Sequence, residues 1–128
     1  MRFLILTTAI LASIVSSSLA AKPAAPAQVK VEQAEKQLAE GAQILDVRTQ
    51  GEWDEGHLKD AKFVCVTEGG FLDKAKTALD PKKPVLVYCK SGKRSVSAAK
   101  QLRDAGYVVY DLEGGIVSWM AAGKPVVK

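Results

Sequence analysis

Histidine and cysteine are scarce in this 128-residue chain, which holds one histidine, His57, and two cysteines, Cys65 and Cys89. A Ser-His-Asp site would have only His57 to use. The three residues together fall short of the four ligands of a structural zinc site, and two cysteines cannot make a disulfide-stapled miniprotein. Five prolines and ten glycines are too few for a collagenous or low-complexity chain. Charge of one sign is also missing. The balance of 18 basic and 14 acidic residues is +4, too weak and too dispersed to argue for a nucleic-acid partner. Nothing implies a metal or an organic cofactor. With 48% hydrophobic and 25% charged residues, the composition is that of a soluble globular domain. The two cysteines are the chemistry left to place.

A long apolar run is lacking too. Residues 3–15 are mostly apolar but short for a spanning helix, and Thr7, Thr8 and Ser13 interrupt them. They follow Met1-Arg2 and precede the small residues Ser18 and Ala20. This is the layout of a secretory signal peptide over residues 1–20, cut between Ala20 and Ala21, with a retained membrane anchor as the alternative. No cysteine near the cut offers a site for lipid attachment. Cleavage leaves 108 residues carrying 17 basic and 14 acidic groups, a balance of +3 and enough chain for one domain. The expected location is outside the cytoplasm, in a bacterium the periplasm, with no membrane association once the peptide is removed. An oxidising compartment makes a Cys65–Cys89 disulfide one reading of the two thiols.

Residues 21–28 (AKPAAPAQ) read as an Ala/Pro linker and residues 29–128 as the domain. Helical spacing predicts helices over 31–39, 71–79, 95–105 and 116–122. Gly41, Asp80-Pro81 and Gly106 are placed to end the first three. Short apolar runs predict strands over 43–47, 62–66, 85–88 and 107–112. Trp53 and Gly56-His57 fall in a turn-rich segment, and Gly114-Gly115 reads as a tight turn. Strands alternating with helices predict an open α/β layer fold around a parallel sheet, whose ligand site lies beyond the carboxyl ends of the strands. The loop after Tyr88 occupies that place.

That loop, C-K-S-G-K-R-S over residues 89–95, joins a buried strand to a helix start. Unpaired N–H groups at a helix start favour an anion. Gly92 lets the loop curl so that N–H groups turn inward, and Lys90, Lys93 and Arg94 add positive charge. All three effects stabilise a thiolate at Cys89, the nucleophilic form, with no need of a histidine. The alternative is an inert cysteine closing a core strand. Three basic residues and a glycine within the next five positions do not suit a core.

The segments Ile44-Leu45-Asp46-Val47-Arg48, Glu52-Trp53, Gly56-His57-Leu58, Val87-Tyr88-Cys89 through Ser95, and Leu112-Glu113-Gly114-Gly115 through Trp119, Gly123, Pro125 and Val126 together resemble the rhodanese-like sulfurtransferases. The resemblance implies a central five-stranded parallel sheet flanked by helices. It also implies a mechanism: Cys89 takes the outer sulfur of a donor as a persulfide and passes it to cyanide or a thiol. Lys90, Ser91, Gly92, Lys93, Arg94 and Ser95 would bind the donor, a small anion such as thiosulfate, with mercaptopyruvate as an alternative. Arg94 could grip two donor oxygens at once, Ser91 could donate to bound sulfur, and Ser95 would cap the helix. Asp46 and Arg48 would support the site, and His57 would hold a turn that departs from the family pattern at Asp60. Cysteine-dependent phosphatases and arsenate reductases place arginine six positions after the cysteine, whereas Arg94 is five after Cys89. Cys65 reads as sheet packing or as a disulfide partner, and Trp53 and Trp119 as packing aromatics. The rival reading is a non-enzymatic module that binds a partner or carries sulfur.

Overall fold

A computed structural model describes residues 28–128; the predicted signal peptide and most of the predicted linker lie outside the described residues. Four parallel strands, β1 (Gln43–Asp46), β2 (Lys62–Phe63), β3 (Val85–Tyr88) and β4 (Val109–Asp111), form a sheet in the order β2-β1-β3-β4. Helices α1 (Val31–Ala39), α2 (Gln50–Glu55), α3 (Phe71–Ala78), α4 (Arg94–Asp104) and α5 (Gly115–Ala121) connect and cover them. The described residues contain no helix long and apolar enough to cross a membrane.

Strand β3 is buried at all four positions because both faces of the sheet are covered, which is why it reads as an unbroken apolar run. Its side chains alternate between two cores. Val85, Val87 and Cys89 face α3 and α4, packing with Phe71, Ala75, Ala98, Ala99 and Leu102. Leu86 and Tyr88 face the other way, toward Ala34 of α1 and Ile116 and Trp119 of α5.

Four strands stand where the resemblance implied five. The fifth place, beside β4, is held by a single parallel bridge between Val29 and Leu112. Val29 donates to Asp111 O at 2.7 Å and accepts from Glu113 N at 2.8 Å. The chain cannot extend this pairing because Lys30 already caps α1. Strand β2 is also shorter than the predicted 62–66, although Val64 and Val66 still donate to Asp46 O and Val47 O. The turn-rich segment around Trp53 is in part a helix. In α2, Thr49 and Glu52 form a reciprocal capping box that fixes a six-residue helix with no buried residue.

Candidate active site

Cys89 follows directly on β3, at the carboxyl edge of the sheet between β1 and β4, and is 1% exposed. The Gly92 N–H donates to its Sγ at 3.1 Å, and the thiol lies 3.4 Å from Ser95 Oγ. Gly92 adopts φ +92°, the left-handed conformation that lets the loop fold back on the sulfur. The loop carbonyls are turned away from it and held. Cys89 O accepts from Ile116 N at 2.9 Å, Lys90 O from Val117 N at 3.2 Å, and Gly92 O from Gln28 Nε2 at 3.3 Å. The first turn of α5 therefore serves as the backing of the cysteine loop.

Gly115 makes that approach feasible. A Cβ there would stand 2.4 Å from Cys89 O and 2.5 Å from Lys90 O. The sequence marks Gly114-Gly115 as a tight turn, but its contact with the loop was not read from spacing.

Lys90, Ser91 and Lys93 are exposed. Lys90 shares a cleft of about 170 Å³ with Arg48, Glu52, Val117, Met120 and Val126. That volume is below the usual range for drug-sized ligands and suits a molecule of a few atoms. Cys89 is not among the lining residues.

One expectation is qualified and one is corrected. The fork of Arg94 is not free: Nη1 meets Glu52 Oε1 at 2.7 Å and Nη2 meets Oε2 at 2.8 Å. This bidentate hydrogen bonding holds the Glu52 carboxyl down at about 2, against the opposing effect of burial. The same hydrogen bonding and the Glu52 charge raise the Arg94 pKa against the opposing effect of burial. Ser95 is not the helix cap either. Lys93 holds that position without a side-chain bond, and Ser95 is the second residue of α4, fully buried with its hydroxyl beside the sulfur.

Asp46 and Arg48 hold architecture next to the site. Arg48 Nη2 lies 2.6 Å from Asp46 Oδ2 and donates to Gly56 O at 2.7 Å. The Tyr88 hydroxyl donates to Asp46 Oδ2 at 2.6 Å and accepts from Leu58 N at 3.1 Å. Burial opposes the Arg48 charge, but its bonds to Asp46 and the Asp46 charge raise its pKa overall. Burial, then the Asp46 charge, push the Tyr88 phenol up, so it remains a donor. This network ties the end of β1 and the 56–58 turn to the residue preceding Cys89. His57 stacks on Trp53 at 3.5 Å, with Nδ1 3.2 Å from Trp53 O, and exchanges backbone bonds with Val127, a turn-holding role. The Trp119 indole donates to Pro125 O at 2.9 Å.

Both cysteines are free thiols. The segment following β1 lies between them, since Val66 N and Val47 N continue the pairing with Val47 O and Tyr88 O. The two thiols are not bridged to each other. Cys65 instead contacts Thr67 Oγ1 at 3.1 Å.

A parallel α/β sheet with a cysteine loop at its carboxyl edge, backed by a glycine-started helix, defines a class of domains that hold one thiol within a loop folded back on its sulfur. Residues 30–122 match the Rhodanese-like domain family, and the chain belongs to that family. It is 38% identical over 110 residues to thiosulfate sulfurtransferase 18 of Arabidopsis thaliana, covering 77% of this chain and 81% of that protein. It is likewise 38% identical over 79 residues to a thiosulfate sulfurtransferase of Coxiella burnetii, covering 61% and 71%. The crystal structure of a rhodanese-related protein from Thermoplasma volcanium superposes with a TM-score of 0.69 at 29% identity, covering 78% of this chain and 96% of that one.

Proposed function

We propose that the protein is a sulfurtransferase that moves a sulfane sulfur from a small anionic donor such as thiosulfate to a nucleophilic acceptor, through a persulfide on Cys89. The Cys89 thiolate attacks the outer sulfur of the donor. The donor's S–S bond breaks, and sulfite leaves with its electron pair. Cyanide or a thiolate then attacks the outer sulfur of the persulfide and releases the Cys89 thiolate, so the kinetics are ping-pong. The Gly92 N–H and the basic side chains of Lys90 and Lys93 favour the anionic states on this path. The single observation that carries the reading is the Cys89 sulfur receiving the Gly92 N–H while its loop carbonyls are held outward by α5.

Intact mass after thiosulfate treatment tests it. One added sulfur atom, removed by cyanide and absent in Cys89→Ser, is the expected result, with thiocyanate as product. No added sulfur in the wild type overturns it, and a persulfide that cyanide does not discharge favours a sulfur-carrier module. Export belongs to the same proposal. Protein recovered from the producing bacterium should begin at Ala21, and recovery of the intact chain from Met1 would refute cleavage.

A further inference from the structure

Gln28 has no part in the steps above, yet its amide reaches the cysteine loop from outside it. The bridge of Val29 to Leu112, with its bonds to Asp111 O and from Glu113 N, fixes the backbone of the chain beside β4. From the residue before that bridge, Gln28 Nε2 donates to Gly92 O at 3.3 Å, across 64 positions of sequence. Gly92 is therefore held at both of its polar groups, with its N–H on Cys89 Sγ at 3.1 Å and its carbonyl on Gln28. A Cβ placed on Gly92 would stand 3.1 Å from Gly114 N and 3.4 Å from Gln28 Nε2, so both residues press on the loop at this point. The hold matters because glycine populates positive and negative φ alike. The φ of +92° that aims the Gly92 N–H at the sulfur is kept by contacts and not by its own sterics. Cys89 O and Lys90 O, the loop carbonyls anchored by α5, are bonded to its backbone. The Gly92 anchor is a side chain, which a substitution removes while loop and helix keep their sequence.

We propose that Gln28 is a positioning residue for Cys89, fixing Gly92 so that the Gly92 N–H stays on the sulfur when the thiol loses its proton. A hydrogen bond to a charged acceptor is stronger than one to a neutral acceptor. A Gly92 held in place therefore favours the thiolate over the thiol, and a Gly92 free to swing favours it less. The segment that leads into the first helix becomes part of the nucleophile's surroundings without touching the sulfur. The inference rests on the nucleophilic role proposed for Cys89.

The test is the rate of iodoacetamide alkylation against pH, read at Cys89 by peptide mass so that Cys65 does not interfere. Gln28→Met keeps the length of the side chain and removes the donor. Its profile should move upward by about 0.5–1 pH unit, which slows alkylation near neutral pH about three- to tenfold and leaves the plateau at high pH unchanged. Gln28→Glu, of equal size, sets a carboxylate against the Gly92 oxygen and should move the profile at least as far. The sign separates positioning from mere loosening. Cys89 is 1% exposed, so a loosened fold would speed its alkylation at every pH. Faster alkylation of that kind, or profiles that coincide with the wild type in both variants, overturns the inference. The reagent is not a sulfur donor, so a failure of sulfur transfer would be seen separately, as a wild type that gains no sulfur from thiosulfate.

Discussion

Glu52 is the residue that most changes how the basic loop is understood. Arg94 carries a charge suited to a thiosulfate-like donor, yet a carboxylate already holds both ends of its fork, so a donor has to compete for it. Glu52→Gln removes the competing charge and keeps a side chain that serves a capping box. The thiosulfate KM is expected to fall about three- to tenfold with a smaller change in kcat, read from steady-state kinetics. An unchanged KM would show that Arg94 does not meet the donor. Lys90→Ala and Lys93→Ala act on exposed charges, so each should raise KM only about two- to fivefold, and more at low ionic strength. The ion pair also sets an acid limit. The Glu52 carboxyl sits at about 2 in the fold against an ordinary value of 4.5. Its stabilisation is therefore complete above the ordinary value and drains as pH falls toward the lower one. The Tm difference between wild type and Glu52→Gln should shrink across that interval. The basic loop is legible in the sequence because charge and glycine cluster within seven residues. Its partner is not, because Glu52 lies 42 positions upstream and pairing across a fold leaves no local spacing.

At the scale of elements, the cysteine loop is shaped as much by α5 as by its own sequence. The strand before Cys89 and the helix after it can be read from an apolar run and a 3.6-residue spacing, and the first strand and first helix likewise. A shift of two residues in the cap of α4, from Ser95 to Lys93, is enough to turn Ser95 from an expected cap into a buried neighbour of the sulfur. Helix α2 escapes the periodicity because it spans six residues and buries none of them. The Gly115 contact escapes because a glycine pair is an ordinary turn signal; only the folded chain shows that its missing Cβ leaves room for two carbonyl oxygens. Gly115 also sits at φ +60°, which disfavours any side chain. Gly115→Ala is therefore expected to push α5 off the loop, lowering stability by about 2 kcal/mol or more and reducing sulfur transfer at least tenfold in protein that remains folded. Chemical denaturation and single-turnover persulfide formation measure the two effects separately. Persulfide formation at the wild-type rate would show that α5 does not shape the cradle.

For the whole molecule, the sheet divides the work between its faces. One face buries Cys89, Ser95 and Asp111 beneath α4, while the other buries Asp46, Arg48 and Tyr88 near the 56–58 turn. The layered α/β class follows from alternating strand and helix patterns, but the number of strands does not. The fifth pairing contracts to Val29 because the chain must turn at once into α1, a packing decision no run of apolar residues records. The Asp46–Arg48–Tyr88 network links the neighbouring strands β1 and β3 on the face away from the sulfur. Removing its cation should thus affect folding before chemistry. Arg48→Met would leave Asp46 buried and uncompensated, with Gly56 O short of a donor. The expected cost is about 3–5 kcal/mol, a large part of the ~5–15 kcal/mol stability usual for a domain. Asp46→Leu together with Arg48→Met replaces both charges by apolar groups and should recover much of that loss. Urea unfolding of the single and double variants checks this directly. Recovery in the double variant, with sulfur transfer per folded molecule near the wild type, would establish the pair as architecture. Full stability with lost transfer would instead place Arg48 in the chemistry of the cleft it shares with Lys90.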